Sequence, residues 1–306
     1  MSTSVPASSQ PHASQNSSPA VGRRAFTVAL SNKLFFACMA VIGGTYLLLI
    51  FAMLMADTWY MAEKSVRAAA AADKPLRVLF LENPIAEALT DRKIKYSIWL
   101  SLISCTLSAC LSLLVAVPLG YLLARHEFRG KRFLDAVLDI PIVLPPLVVG
   151  LSLLILFQFP PFRWIARDVV YQLSAVVIAQ FSVASAFAIR TMKSTFDHIN
   201  PRCEQVAITL GCTRAQAFGW VVLPVASRGM MTAVTLAWAR SLGEFGPLLI
   251  FAGATRMKTE VLSTTVFLEL NIGNIEGAVA VSMIMVAAAV IVLVITRQWG
   301  TRDSIY

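Results

Sequence analysis

The sequence reads as an all-α membrane protein with six transmembrane helices, and three observations carry that reading. Of its 306 residues, 57% are apolar and only 14% charged, whereas about a quarter of a soluble domain is charged. Six apolar runs recur along the chain, near 34–56, 96–124, 137–159, 173–189, 230–252 and 278–295, each about the length that crosses a bilayer as a helix. Between the fourth and fifth runs, Ala207 and Leu210 before Gly211, and Ala215, Phe218 and Val222 after it, recur at steps of three or four, the period of short helices with one buried face. The formal charge of +9 comes from Lys and Arg scattered among the loops. No basic stripe with interleaved aromatics is present, so the charge points to an anionic lipid bilayer and not to nucleic acid.

Taken in order, residues 1–33 are expected to form a disordered tail, because the first twenty are rich in Ser, Ala, Pro and Gln and carry no charged side chain. Arg23-Arg24 has the look of a twin-arginine export signal. The apolar run that follows, 34–56, is too long for a signal peptide and suits a retained first helix. Residues 57–95 are polar, contain Pro75 and Pro84, and read as an extracytoplasmic segment with a short surface helix around Ala68–Ala72. The core then runs over 96–296, with a short tail at 297–306. The second span carries Ser97, Ser101, Ser104, Thr106, Ser108 and Ser112, small hydroxyl residues that let helices approach and hydrogen-bond in lipid. Pro118-Leu119-Gly120 is expected to kink its end. The third span holds Pro141, Pro145 and Pro146 and must be broken, with its freed carbonyls partnered by protein or a wet cavity. The five cysteines match no disulfide framework or CxxC metal site.

Within 190–229, Gly211 is expected to end a helix at positive φ, and Pro224 to close the run because it cannot continue a hydrogen-bond ladder. The fifth span carries two charges, Arg240 and Glu244, four apart and able to pair on one face. Ionisable groups at membrane depth face a bundle interior or a wet cavity, so the pair reads either as a lining or gate of a translocation path, with Gly243 and Gly246 loosening the helix around it, or as a structural tie. An ion-gradient-driven secondary transporter built on this pair is a further reading. The two halves show no internal repeat, which counts against the inverted-repeat carriers. There is no catalytic constellation. The GxxxxGK[ST] phosphate loop is absent as well, so ATP hydrolysis by that route would need a separate chain.

The stretch Glu204-x-x-Ala207-x-x-x-Gly211, followed by Leu223-Pro224, resembles the coupling motif of ABC-importer permeases. The segments Ala239–Gly246, Leu144–Leu151 and Pro118–Arg125 resemble the permeases for molybdate, tungstate and sulfate, over roughly residues 80–296. The resemblance implies a type I ABC importer permease fold with cytoplasmic coupling loop at 190–229. It implies two permease copies, a cytoplasmic ABC ATPase dimer that carries ATP and Mg, and an extracytoplasmic oxyanion-binding protein; the permease itself would bind no cofactor and no metal. Glu204 would anchor the coupling helix, Ala207 would belong to the same motif, Gly211 would allow its turn, and Leu223 and Pro224 would fix the chain's return into the membrane. Glu276-Gly277-Ala278 leans to molybdate or tungstate, while Lys258-Thr259-Glu260 also suits sulfate. Fourteen Lys and Arg on the N-terminal side of the membrane face eleven opposite, a weak lean toward cytoplasmic termini. The coupling motif gives the same orientation, a multi-pass protein of the cell inner membrane.

Overall fold

The computed structural model describes residues 19–70 and 88–302, and all regular structure among them is helical. The chain divides into two compact units, 1–58 and 59–306. The first holds α1 (Pro19–Ala70) up to Thr58, and the stretch Phe35–Glu63 of that helix is apolar and long enough to cross a membrane. Its large side chains, Phe36, Ile42 and Leu48 among them, are exposed, as lipid-facing residues would be. The helix starts at Pro19, inside the stretch 1–33 expected to be disordered, and reaches Ala70, taking in the first three residues of the surface helix expected at 68–72; residues 71–72 lie outside the described residues. The expected tail 1–18 and the prolines Pro75 and Pro84 lie outside the described residues.

The second unit is organised on α2 (Arg92–Arg125) and α5 (Leu173–His198). Ser97, Ser101, Ser104, Ser108 and Ser112 recur at three- and four-residue steps and are all buried, beside Cys105, Ala109 and Ala116. The facing side of α5 is also small: Ala179, Ala184 and Ala188 are wholly buried. Without a hydrophobic drive between helices in lipid, small residues gain their stability from close backbone approach and interhelical hydrogen bonds. Ser108 and Ser241 hydroxyls meet at 3.1 Å, and Ser101 Oγ accepts from the Leu262 amide at 2.8 Å. α2 continues through Pro118 to Arg125. Gly120 serves packing instead: a Cβ there would stand 2.8 Å from Met192 Cβ of α5.

The third span is broken, as its prolines require. α3 (Lys131–Val143) and α4 (Pro146–Leu156) are bent by 113° at Leu144-Pro145. Pro145 is extended (φ −54°, ψ 132°) and Pro146 opens α4, where its missing N–H costs nothing. Pro141 remains inside α3 and makes no break. After α5 come α6 (Pro201–Thr209) and α7 (Arg214–Val225), the latter set at 70° to α8 (Ser227–Leu242). α8 stops at Gly243, and the chain makes one π-turn at Leu248–Ala252, so the run 230–252 is not one helix. The two broken spans meet. A Cβ on Gly150 would lie 2.8 Å from Pro247 Cα, and one on Gly246 2.8 Å from the Leu147 amide nitrogen. α9 (Leu262–Asn271) and α10 (Ile275–Arg302) complete the unit, with α10 running into the expected tail at 297–306. Counting each bent pair once gives six candidate spans among the described residues.

Candidate functional site

The helix–glycine–helix unit begins with α5 running on to His198, so residues 190–198 belong to that helix and not to a loop. Asn200 caps α6 by accepting from the Arg202 amide at 3.0 Å, and Pro201 takes the first helical position. At the other end the Cys212 amide donates to the Ala207 carbonyl at 3.1 Å and the Gly211 amide to that of Ile208 at 3.0 Å. This paired pattern is a Schellman turn, which places its glycine at positive φ; Gly211 has φ +95°. Thr213 and Gln216 then form a capping box that opens α7. The whole reversal is therefore encoded in Ala207–Gln216.

Glu204 is tied to the end of α2. One of its oxygens accepts from the Tyr121 hydroxyl, and the other lies 3.9 Å from Arg125 Nε. Arg125 also donates to the Ile199 carbonyl at 2.8 Å, and the Tyr121 ring packs edge-on against Phe218 and Phe196, at 4.6 and 5.6 Å between centroids. A cleft of about 540 Å³ lies between these groups and Arg214. Ala207, Ala217 and Val222 point inward, but Leu210 is 81% exposed and Ala215 is exposed too. The buried faces expected for these short helices are thus met at Ala207, Ala217 and Val222 and not at Leu210 and Ala215, which lie next to the turn and face outward. Val206, Leu210 and Trp220 are exposed apolar side chains of this unit. Leu223 is half-buried and Pro224 exposed. Pro224 does not close the run: the Leu223 amide reaches Phe218 O in a π-turn, the helix continues to Val225, and the bend comes at Ala226.

If Tyr121 holds α6 through Glu204, Tyr121→Phe is expected to speed amide hydrogen exchange across 201–210 about tenfold, the loss of one charge-assisted hydrogen bond. Exchange measured by mass spectrometry at an unchanged rate would remove that anchor.

Arg240 and Glu244 do pair, Nη1 to Oε1 at 2.6 Å, yet not on one continuous helix: Glu244 lies past the cap at exposed Gly243. Its side chain is 1% exposed against 31% for Arg240. The contact is charge on charge, since neither Glu244 oxygen makes a directed hydrogen bond among the described residues. The Arg240 guanidinium also lies 5.6 Å over the Phe187 ring. Freed carbonyls nearby are met from other helices. Gln180 donates to Ser241 O at 3.3 Å and Ser263 to Glu244 O at 2.6 Å, the re-satisfaction a broken span needs. Gly246 is buried against the other break.

Two features of the site were not anticipated. Asp135 and Asp139 of α3 hold Arg190 and Lys193 of α5; Arg190 Nε donates to Asp139 at 2.6 Å and Lys193 to Asp135 at 2.9 Å. The i, i+4 carboxylates were visible in the sequence, but their distant partners were not. Thr259 and Glu260 are wholly buried, and Thr259 closes the turn by donating to Gly253 O at 2.9 Å. Burial pushes the Glu260 carboxyl above the usual range, opposed by Thr265 and Arg256. In the structure this segment is a turn that buries Thr259 and Glu260 and leaves Lys258 exposed. Glu276 and Gly277 lie beside a cavity of about 300 Å³ with Asp91, Glu269 and Asn274.

Broken spans packed break to break, with a helix–Schellman–helix unit between the fourth and fifth, define a helical transport subunit. Residues 116–301 match the family described as binding-protein-dependent transport system inner membrane component, and the chain belongs to that family. It is 32% identical over 212 residues to the sulfate transport system permease protein CysT of Escherichia coli, covering 68% of this chain and 76% of that one. It is 31% identical over 235 residues to the molybdate/tungstate permease protein WtpB of Thermococcus kodakarensis, covering 75% and 90%. The molybdenum permease protein ModB of Escherichia coli is 31% identical over 215 residues, covering 68% and 93%. A solved bacterial ABC transporter involved in alginate import shares the fold, with a TM-score of 0.62 at 18% identity over 92% of this chain and 99% of that one.

Proposed function

We propose that this chain is the membrane subunit of an ATP-driven importer for a tetrahedral oxyanion, molybdate or tungstate, which it takes from a binding protein to the cytoplasm. The observation that carries this is the Ala207–Gln216 reversal: a rigid turn flanked by exposed apolar side chains, tied through Glu204 to the end of α2. The relatives named for molybdate and tungstate support the substrate class. Sulfate is the second reading, favoured by the CysT relative.

In this account two copies form the pore, an ATPase dimer carrying ATP and Mg²⁺ docks on α6 and α7 in the cytoplasm, and an oxyanion-binding protein docks on the opposite face. The chain itself binds no cofactor, and both termini are cytoplasmic. ATP-driven closure of the ATPases pushes on α6. Glu204 and Tyr121 pass the push to α2, Ala207 seats α6 on its inner side, and Leu223-Pro224 pass it through the bend at Ala226 to α8. The turn at Gly243–Gly246, with Arg240 and Glu244, then gates the path. The breaks at Pro145-Pro146 and Gly246-Pro247 let the spans rotate as short rigid pieces.

The test is purification of the tagged chain from native membranes with identification of its companions. An ATPase together with a binding protein that prefers molybdate or tungstate supports the reading. A binding protein that prefers sulfate supports the second, and a chain that purifies alone and transports on an ion gradient sinks both.

A further inference from the structure

One face of α5 and one of α8 form a groove that the coupling unit does not use. On α5, Phe187, Thr191, Ser194 and His198 recur at steps of four, three and four; on α8, Arg228, Thr232, Leu236 and Arg240 recur every four. Such spacing stacks side chains on one side of a helix. The two faces run antiparallel. At one end Arg228 and Thr232 share an open cavity of about 700 Å³ with Thr191, Ser194, Thr195 and His198. At the other end Arg240 covers Phe187. Gly229 permits the approach, since a Cβ there would run into the Thr195 side chain.

The groove is lined with donors, and three of its hydroxyls are lightly restrained. The hydroxyls of Thr191, Thr195 and Thr232 donate to their own helices' carbonyls at 2.9, 2.8 and 3.0 Å, bonds that a side-chain rotation exchanges. Behind the cations stand carboxylates: Glu244 beneath Arg240, Asp139 and Asp135 against Arg190, Asp135 against Lys193. Glu244 is enclosed while the Arg240 guanidinium keeps its open side.

We propose that this groove is a weak multi-point site for a tetrahedral oxyanion, handing it along α8 from Arg240 past Thr232 to Arg228. Guanidinium and hydroxyl donors are the set that such an anion accepts. Four helical residues advance about 6 Å, so an ion passes about 6 Å from Thr232 to Arg228 and about 12 Å from Arg240 to Thr232, past the apolar Leu236. Conduction needs binding that is favourable enough to enter and weak enough to leave. At Arg240 and Arg190 the carboxylates supply the weakness by competing for the cation. The inference rests on the oxyanion reading and assigns to this chain a contact with cargo.

The experiment uses the complete transporter, with its ATPase and binding protein, in proteoliposomes, and follows labelled sulfate and molybdate. Arg228→Gln is expected to lower import about tenfold, the worth of one charge-assisted contact, with binding-protein-stimulated ATP hydrolysis unchanged. Arg228→Lys is expected to recover most of that loss, and Thr232→Val, an exposed near-isosteric change, to lower import in the same direction. Import at the wild-type level in both Arg228→Gln and Thr232→Val overturns the proposal. So does a parallel loss of import and ATP hydrolysis, which marks a coupling role. A defect that vanishes in phosphatidylcholine vesicles assigns the groove to an anionic lipid headgroup and also overturns it. A wild-type transporter that imports no oxyanion at all sinks the oxyanion reading itself.

Discussion

Gly211→Trp is expected to abolish ATP-driven import while the protein still reaches the membrane at the wild-type level. The reason is backbone conformation and not space. A Cβ at Gly211 would meet nothing within 4 Å, but φ is +95°. A residue with a side chain pays about 1–2 kcal/mol to sit in that left-handed region. The Schellman bonds from Cys212 and Gly211 to Ala207 and Ile208 depend on it, so strain there reorients α6 relative to α7. Trp adds bulk on the outer surface beside Leu210. Gly211→Asn is the control, because Asn tolerates left-handed φ far better than other residues, and it is expected to keep most of the import. ATP hydrolysis stimulated normally by the binding protein in the Trp variant would sink the proposed role of this turn.

Gly150→Leu and Gly246→Leu are expected to give the largest losses of folded protein. Both glycines sit where the break in the third span meets the break in the fifth. The atoms a Cβ would strike, Pro247 Cα and the Leu147 amide nitrogen, belong to the backbone and cannot swing aside. Overpacking a well-packed interior costs about 1–3 kcal/mol when side chains can adjust; here the helices themselves must separate. The check is the monodisperse fraction after detergent extraction and its thermal midpoint. Gly219→Ala, where a Cβ meets nothing within 4 Å, is expected to behave as wild type. Equal yield and midpoint for Gly150→Leu and Gly219→Ala would show that the two breaks do not pack as described.

How much of this was legible in the sequence varies with the range of the interaction. The turn at Gly211 was, because a Schellman motif and a capping box are written within ten consecutive residues. The serine run of α2 was legible too, since spacing alone places Ser97 to Ser112 on adjoining faces. The break at Pro145-Pro146 followed from missing donors. Pro118, Pro141 and Pro224 stop no helix at their own positions: the chain stays helical through each, and after Pro224 the bend comes two residues on, at Ala226. At Pro224 a π-turn hands the preceding amide, Leu223, to Phe218 O.

Composition and local pattern by themselves determined the membrane class, the apolar runs and the glycine turn, because each depends on neighbours within about one helical turn or on the solvent alone. Only the tertiary structure decided that Tyr121 holds Glu204, that Asp135 and Asp139 hold Arg190 and Lys193, that Gly150 faces Pro247, and that the Arg228 and Thr191 faces share a groove. Those pairs lie tens to about a hundred residues apart, and what joins them is close packing of rigid helices, which selects one set of partners among many that the sequence would allow.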